Sequence, residues 1–156
     1  MTNITFQPID ASTATLFRNG GLDANGQPAE RHVSDGGGNP CRCCLRDIPL
    51  NAAMLVLSYR PFDTVNPYVE TGPIFLCADD CAPWSAQDAP PILTTSPDYL
   101  LKAYTSDERI KYGTGQITPA SDISSYASAL LSRDDIAFVD VRSARNNCYQ
   151  LRIVRS

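Results

Sequence analysis

The chain has 156 residues, of which 43% are hydrophobic, and this is enough apolar material for one packed domain. Its formal net charge is −4 and its pI is about 4.8, so it lacks the basic balance of nucleic-acid-binding domains and we do not expect nucleic acid as a partner. The first ten residues do not resemble a signal peptide, and no stretch approaches the roughly 18 apolar residues of a membrane span. We therefore expect a single domain, residues 1–156, in the cytoplasm and without membrane contact.

The first half of the chain predicts three strands around a long irregular segment. Residues 4–9 alternate as a strand does, and residues 12–18 are long enough for about two helical turns before Asn19-Gly20-Gly21. Residues 19–40 hold most of the glycines and predict an extended loop. Residues 54–59 predict a strand buried on both faces, residues 73–77 predict a second strand, and residues 82–97 predict a surface loop.

The second half predicts a hairpin, one clear helix and two final strands. Residues 99–104 and 109–112 predict the hairpin, although the first arm also fits a short helix. For the main helix we expect Thr118 as the cap and Pro119 as the first helical residue. Its apolar stripe consists of Ile123, Tyr126, Ala127, Leu130 and Leu131. With strands at 136–142 and 148–154, the sequence predicts an α+β fold, a mostly antiparallel sheet with one principal helix.

Two cysteine pairs are the most specific chemical signal. Cys41 and Cys44 form a C-x-x-C pair after a turn, and Cys77 and Cys81 form a C-x3-C pair at the end of a predicted strand. Residues 45–76 separate the pairs, a longer gap than the roughly 12–20 residues of common zinc fingers. A strand leading out and a strand leading back would still bring the pairs together. The sequence thus predicts a zinc-knuckle-like site with a structural zinc ion as cofactor.

Other interpretations of the cysteines remain open. A C-x-x-C pair also occurs as a redox pair, buried cysteines are often core residues, and iron–sulfur clusters use thiolates as well. Cys43 lies inside the first pair and could replace either neighbour as a ligand, and Cys148 is expected to be a packing residue.

Four segments resemble the DUF1203 family: PCRCCLRD at 40–47, LSYRPF at 57–62, PYVETGPIF at 67–75 and RSARNNC at 142–148. Proteins of this family are bacterial single-domain proteins of similar length, and the resemblance implies no reaction or substrate. The positions of Cys41, Cys44 and Cys81 match the family pattern, whereas many members have histidine where this chain has Cys77. Because histidine and cysteine both bind zinc, this exchange favours a metal site over a disulfide.

Polar residues in two regions predict a second site. Guanidinium and amide groups suit phosphate or carboxylate ligands, although an ordinary solvated turn also explains the final hairpin. We expect the site between the 60–72 loop and the hairpin end at 142–147, with a small anionic molecule or an acidic protein segment as the partner. The candidate ligand-binding residues are Arg60, Tyr68, Arg142, Arg145, Asn146 and Asn147.

Glu70 and His32 are the candidates for any acid–base chemistry. Glu70 lies in the 60–72 loop, where we expect it to pair with Arg142 or Arg145, and His32 is the only histidine. The leading hypothesis is a zinc-stabilised binding domain. The alternatives are an enzyme that uses Glu70 or His32 while arginines hold an anionic substrate, and a thiol redox-responsive protein.

Overall fold

A computed structural model describes residues 2–156 and contains eight strands and two helices in that part of the chain. In chain order they are β1 (Ile4–Gln7), α1 (Ala11–Arg18), β2 (Glu30–Val33), β3 (Ala53–Tyr59), β4 (Gly72–Cys77), β5 (Asp98–Tyr104), β6 (Gln116–Pro119), α2 (Ile123–Leu131), β7 (Phe138–Ser143) and β8 (Tyr149–Arg155). Short 3-10 turns lie at Pro91–Thr94 and Ala120–Asp122. Within the described residues, no helix has the length and apolar character to cross a membrane.

The strands form two antiparallel sheets, so the predicted α+β class is confirmed. The large sheet has the order β1-β8-β7-β5-β6, and the small sheet has the order β2-β3-β4. Helix α2 packs on the large sheet through the predicted apolar stripe, in which Ile123, Ala127, Leu130 and Leu131 are buried and Tyr126 is partly buried. This helix and the inward side chains of the sheet form the main core.

A second core lies between α1 and the small sheet. It contains Phe17 from the helix, Leu57 and Leu76 from the hairpin β3–β4, and the buried cysteines of residues 41–44. The cysteines are therefore part of the packed interior and not of a surface appendage. This second core is the setting of the candidate site.

The start of the main helix differs from the prediction. Thr118 and Pro119 do not cap and begin the helix but belong to β6, where Thr118 is fully buried opposite Tyr99. Strand β6 is an edge strand, so a proline without an N–H is tolerated there. The helix begins at Ile123, after the 3-10 turn.

Three other expectations are corrected by the tertiary structure. Residues 109–112 contribute only a single bridge, Ile110 to Tyr104, because β6 and β7 occupy the two sides of β5. The irregular 19–40 segment contains β2, whose residues are exposed and pair with β3. The predicted surface loop at 82–97 contains a turn in which Ile92 and Leu93 are buried in the main core.

The burial of two strands also differs from what their sequences predict. Strand β3, expected to be buried on both faces, has its buried residues mixed with partly exposed ones on both faces. Strand β7, expected to alternate, is buried along nearly its whole length, including Asp140 and Arg142. Arg152 of β8 forms an ion pair with Asp140, with 2.7 Å between Nε and Oδ1, and this partner makes the burial of the carboxylate tolerable.

Candidate metal centre

The first cysteine pair lies in a tight turn between Pro40 and Asp47. The Cys41 N–H donates to the Arg46 carbonyl at 2.9 Å, and the Leu45 N–H donates to the Cys41 carbonyl at 2.9 Å. Leu45 follows the pair with a φ of 56°, a left-handed conformation that normally favours glycine. The Leu45 side chain is fully buried in the main core, and this packing offsets the cost of the conformation.

The second pair reaches the first through the hairpin β3–β4, as the spacing predicted. Cys77 ends β4, and the neighbouring Phe75 forms a parallel bridge with Cys41. The Cys77 N–H points at the Cys41 sulfur, with 3.3 Å between N and Sγ. Cys81 follows four residues later and brings its Sγ to 3.8 Å from that of Cys41.

All four predicted ligand atoms converge. The Sγ atoms of Cys41, Cys44, Cys77 and Cys81 lie within 4.8 Å of one another. Sulfur atoms on a regular tetrahedron around zinc, with Zn–S bonds of about 2.3 Å, lie about 3.8 Å apart. The cysteines are free thiols, so the short distances do not come from disulfides. The cluster thus has the donor set and nearly the dimensions of a tetrathiolate metal site.

Arg18, at the end of α1, supplies positive charge to this cluster. Its Nη2 donates to the Cys81 Sγ at 3.2 Å and its Nε donates to the Cys77 carbonyl at 3.0 Å. The side chain is only 8% exposed, and Asp80 lies 3.6 Å from its Nη1. Sequence reasoning missed Arg18, because a basic residue in the last turn of a helix is also expected simply for its interaction with the helix dipole.

Three thiols of the cluster shift one another's pKa. Hydrogen bonds from the Cys44 and Cys77 side chains lower the pKa of the Cys41 thiol far below its usual range. The same contact with Cys41 raises the pKa of Cys44 to about 12 and also raises the pKa of Cys77. The cluster therefore favours ionisation of Cys41 and opposes ionisation of Cys44 and Cys77. A bound divalent cation would allow all of them to be thiolates, because its charge would offset the repulsion between them.

The two remaining cysteines differ in their relation to the cluster. Cys43 is fully buried in the second core, and burial together with the nearby Cys81 raises its pKa to about 12. Such a protonated, enclosed thiol is a poor nucleophile. The alternative of a thiol redox-responsive protein, which concerned the C-x-x-C pair, stays a prediction. Cys148 is half-buried at the final hairpin, where its Sγ lies 3.8 Å from the Asn146 carbonyl, and it does not join the four-cysteine group.

The polar residues predicted as a ligand site are only partly brought together. The expected pair of Glu70 and Arg142 is present, with 2.9 Å between Oε2 and Nε, and Lys102 contacts the other carboxylate oxygen. Arg142 also donates from Nη1 to the Asn147 carbonyl at 3.0 Å. Glu70 is thus held between two cations.

The other predicted ligand residues lie in different surroundings. Arg60 lines a cavity of about 410 Å³ together with Tyr149 and Arg152. Tyr68 packs against Arg109, whose Cζ lies 5.5 Å from the centre of the tyrosine ring. Arg145, Asn146 and Asn147 are exposed at the hairpin end.

His32 lies on the exposed strand β2. Its Nε2 is 2.8 Å from the Oε1 of Glu30, and its side chain is 53% exposed. The catalytic roles considered for Glu70 and His32 stay predictions.

Fold and site together define a class: an α+β domain with two antiparallel sheets and a buried four-cysteine cluster suited to a metal ion. Residues 38–155 match the model of the family described as "Protein of unknown function (DUF1203)". The match covers most of the chain and all four cysteines, so the chain belongs to the DUF1203 family, as its motifs predicted. No curated protein and no solved structure matches the chain.

Proposed function

We propose that this protein is a zinc-stabilised binding domain in which Cys41, Cys44, Cys77 and Cys81 hold one Zn²⁺. The observation that carries the proposal is the convergence of four sulfur atoms within 4.8 Å from two separate parts of the chain. Zinc suits the site because it accepts four thiolates tetrahedrally and has no redox chemistry of its own.

The surroundings of the sulfur atoms support a metal site over ordinary packing of thiols. A guanidinium group from Arg18 and a backbone N–H from Cys77 both point at sulfur atoms. Donors of this kind stabilise thiolates and orient them as ligands, whereas neutral core thiols need no cation beside them. The Arg18 charge would offset part of the net negative charge of a zinc ion with four thiolates.

The proposed role of the metal is structural. Four protein ligands leave no open coordination position for water or substrate. The ion would tie the turn at residues 40–47, which follows a glycine-rich stretch, to the end of β4 and to the loop that carries Cys81. Chain order in this region would then depend on metal binding.

The binding role is proposed for an anionic partner, either a small molecule or an acidic protein segment. Its support is the set of guanidinium and amide groups around the final hairpin, where Arg145, Asn146 and Asn147 remain exposed. The net charge of −4 and the absence of a basic balance argue against nucleic acid.

The metal proposal is tested by elemental analysis of the purified full chain and by cobalt substitution. We expect one zinc per chain and, with Co²⁺, the absorption bands of a tetrahedral thiolate site. Cys81→Ser should lower the zinc content and alter the cobalt spectrum, whereas Cys148→Ser is the matched control and should change neither. Zinc far below one per chain in the parent, or equal loss in both variants, would contradict the proposal.

A further inference from the structure

A small cavity of about 230 Å³ lies between the first cysteine turn, the start of β5 and the β7–β8 hairpin. No aspartate or glutamate lines it. Phe75 and Tyr99 contribute aromatic surface to its wall. Its polar lining consists of Arg42, Thr95, Ser96, Ser143, Asn146 and Gln150.

Arg42 is the single charged group in this lining, and it is only 3% exposed. Its Nε donates to the Tyr149 carbonyl at 2.7 Å and its Nη1 donates to the Pro40 carbonyl at 2.6 Å. These two bonds fix the guanidinium plane between the cysteine turn and β8. The Cζ atom of Arg42 also lies 5.7 Å from the ring centre of Phe75, another residue of the lining.

The buried arginines elsewhere in the fold have acidic partners. Arg18 lies near Asp80, Arg142 pairs with Glu70, and Arg152 pairs with Asp140. Arg42 forms no such ion pair within residues 2–156, and its two bonded acceptors are neutral carbonyl oxygens. A buried guanidinium without a paired carboxylate is costly, and an anion from solution would lower that cost.

The other polar groups of the cavity suit an oxyanion as well. The Ser143 Oγ accepts a hydrogen bond from the Cys148 N–H at 2.9 Å, and as a hydroxyl group it can still donate one hydrogen bond of its own. Asn146 and Ser96 are exposed residues of the lining, so their amide and hydroxyl groups are accessible to a ligand from solvent. The volume lies below the roughly 300–1,000 Å³ of pockets for drug-sized ligands, so the ligand must be small.

We propose that this cavity binds a small oxyanion, a carboxylate or a phosphate group, with Arg42 as its charged contact. The inference deepens the proposed anion-binding role, on which it rests, and moves the site from the exposed hairpin end to the cavity behind it. Inorganic phosphate and acetate are the simplest members of the two ligand groups and serve as probes.

The test uses the zinc-loaded full chain labelled with ¹⁵N, titrated with phosphate or acetate at constant ionic strength. We expect saturable shift changes at the Arg42 Nε–H and at the Ser96 and Ser143 amides. Arg42→Gln should weaken binding about tenfold or more, since a charge-assisted hydrogen bond is lost. Equal shift changes with chloride would show a salt effect only and would overturn the proposal.

A second set of variants avoids disturbing the buried arginine. Ser96→Asp places a carboxylate at the exposed edge of the cavity and should weaken anion binding about tenfold, while the neutral Ser96→Asn is its matched control and should not. Arg145→Gln, at the exposed hairpin end outside the cavity lining, distinguishes the two locations, and Arg31→Gln on the exposed strand β2 is the control that should leave binding unchanged.

The outcomes separate this inference from the metal proposal and from the site first predicted. Binding that is lost in Arg145→Gln but kept in Ser96→Asp would place the anion at the exposed hairpin end and overturn the cavity assignment. No saturable binding in protein that carries one zinc per chain would also overturn it, and would assign Arg42 to balancing the charge of the neighbouring thiolate cluster.

Discussion

Removal of the zinc ion that we propose for the four-cysteine cluster should lower the stability of this protein by an amount that the structure allows one to work out. Cys41 and Cys81 are 40 positions apart in sequence, and a metal ion joining them closes a loop of that length. The chain-entropy model for a cross-link across such a loop gives about 4 kcal/mol of stabilisation at 25 °C. For a domain of this size, about 1 kcal/mol shifts the melting temperature by about 2–4 °C.

The assay is calorimetric melting of the zinc-loaded chain with and without a strong chelator, under reducing conditions. The melting temperature should fall by about 8–16 °C when the metal is removed, from the loop-closure figure above. Cys148→Ser should show the same fall as the parent. Cys81→Ser should already melt low and should respond little to the chelator.

Two results would refute the proposed stabilisation by zinc. If the parent loses one zinc per chain and its melting temperature does not move, the cysteine turn is held by its hydrogen bonds and packing alone. If Cys81→Ser and Cys148→Ser respond to the chelator alike, the metal is bound elsewhere than at the four-cysteine cluster.

Three further substitutions have defined outcomes. Arg18→Met should weaken zinc binding about 10- to 100-fold in competition with a chromophoric chelator, because the donor to the Cys81 sulfur is lost. Asp140→Asn should cost about 3–5 kcal/mol in urea unfolding, because Arg152 loses its buried counter-charge; a change under 1 kcal/mol would contradict the argument. Glu108→Gln should cost about 1–2 kcal/mol at pH 7, since the carboxylate accepts hydrogen bonds from backbone N–H groups of the 63–64 loop; unchanged stability would show that these bonds contribute nothing net.

The effect of Glu108 should depend on pH in one direction. Burial alone would raise the pKa of Glu108, but hydrogen bonds from Thr64 and Asp63 outweigh it and hold the pKa below its ordinary value. A carboxyl group with a lowered pKa in the folded state stabilises the protein above its unfolded pKa, and this stabilisation is lost as the pH falls through the folded pKa. The difference in unfolding free energy between the parent and Glu108→Gln should therefore shrink towards acid pH, and a difference that grows would contradict the assignment.

Local patterns were sufficient for the features whose causes are local. The stripe of α2 follows from apolar spacing along one helix, and the cysteine turn follows from two ligands three residues apart after a proline. The predicted pairing of the two cysteine pairs also held, because β3 and β4 adjoin in sequence and form an antiparallel hairpin. Thr118 shows the limit of this reasoning, since its sequence context suits a helix cap and its pairing with Tyr99 makes it part of a strand.

The sequence by itself determined the fold class, the family and the four candidate metal ligands, because these depend on residue types at short spacings. Only the tertiary structure decided what surrounds those ligands. Arg18 reaches Cys81 from a helix 63 positions away, and Arg42 is fixed by the carbonyl of Tyr149, 107 positions away. The partner of a buried charged side chain, whether a carboxylate, a sulfur atom or an open cavity, comes from a distant segment of the chain. Local sequence patterns therefore cannot predict it.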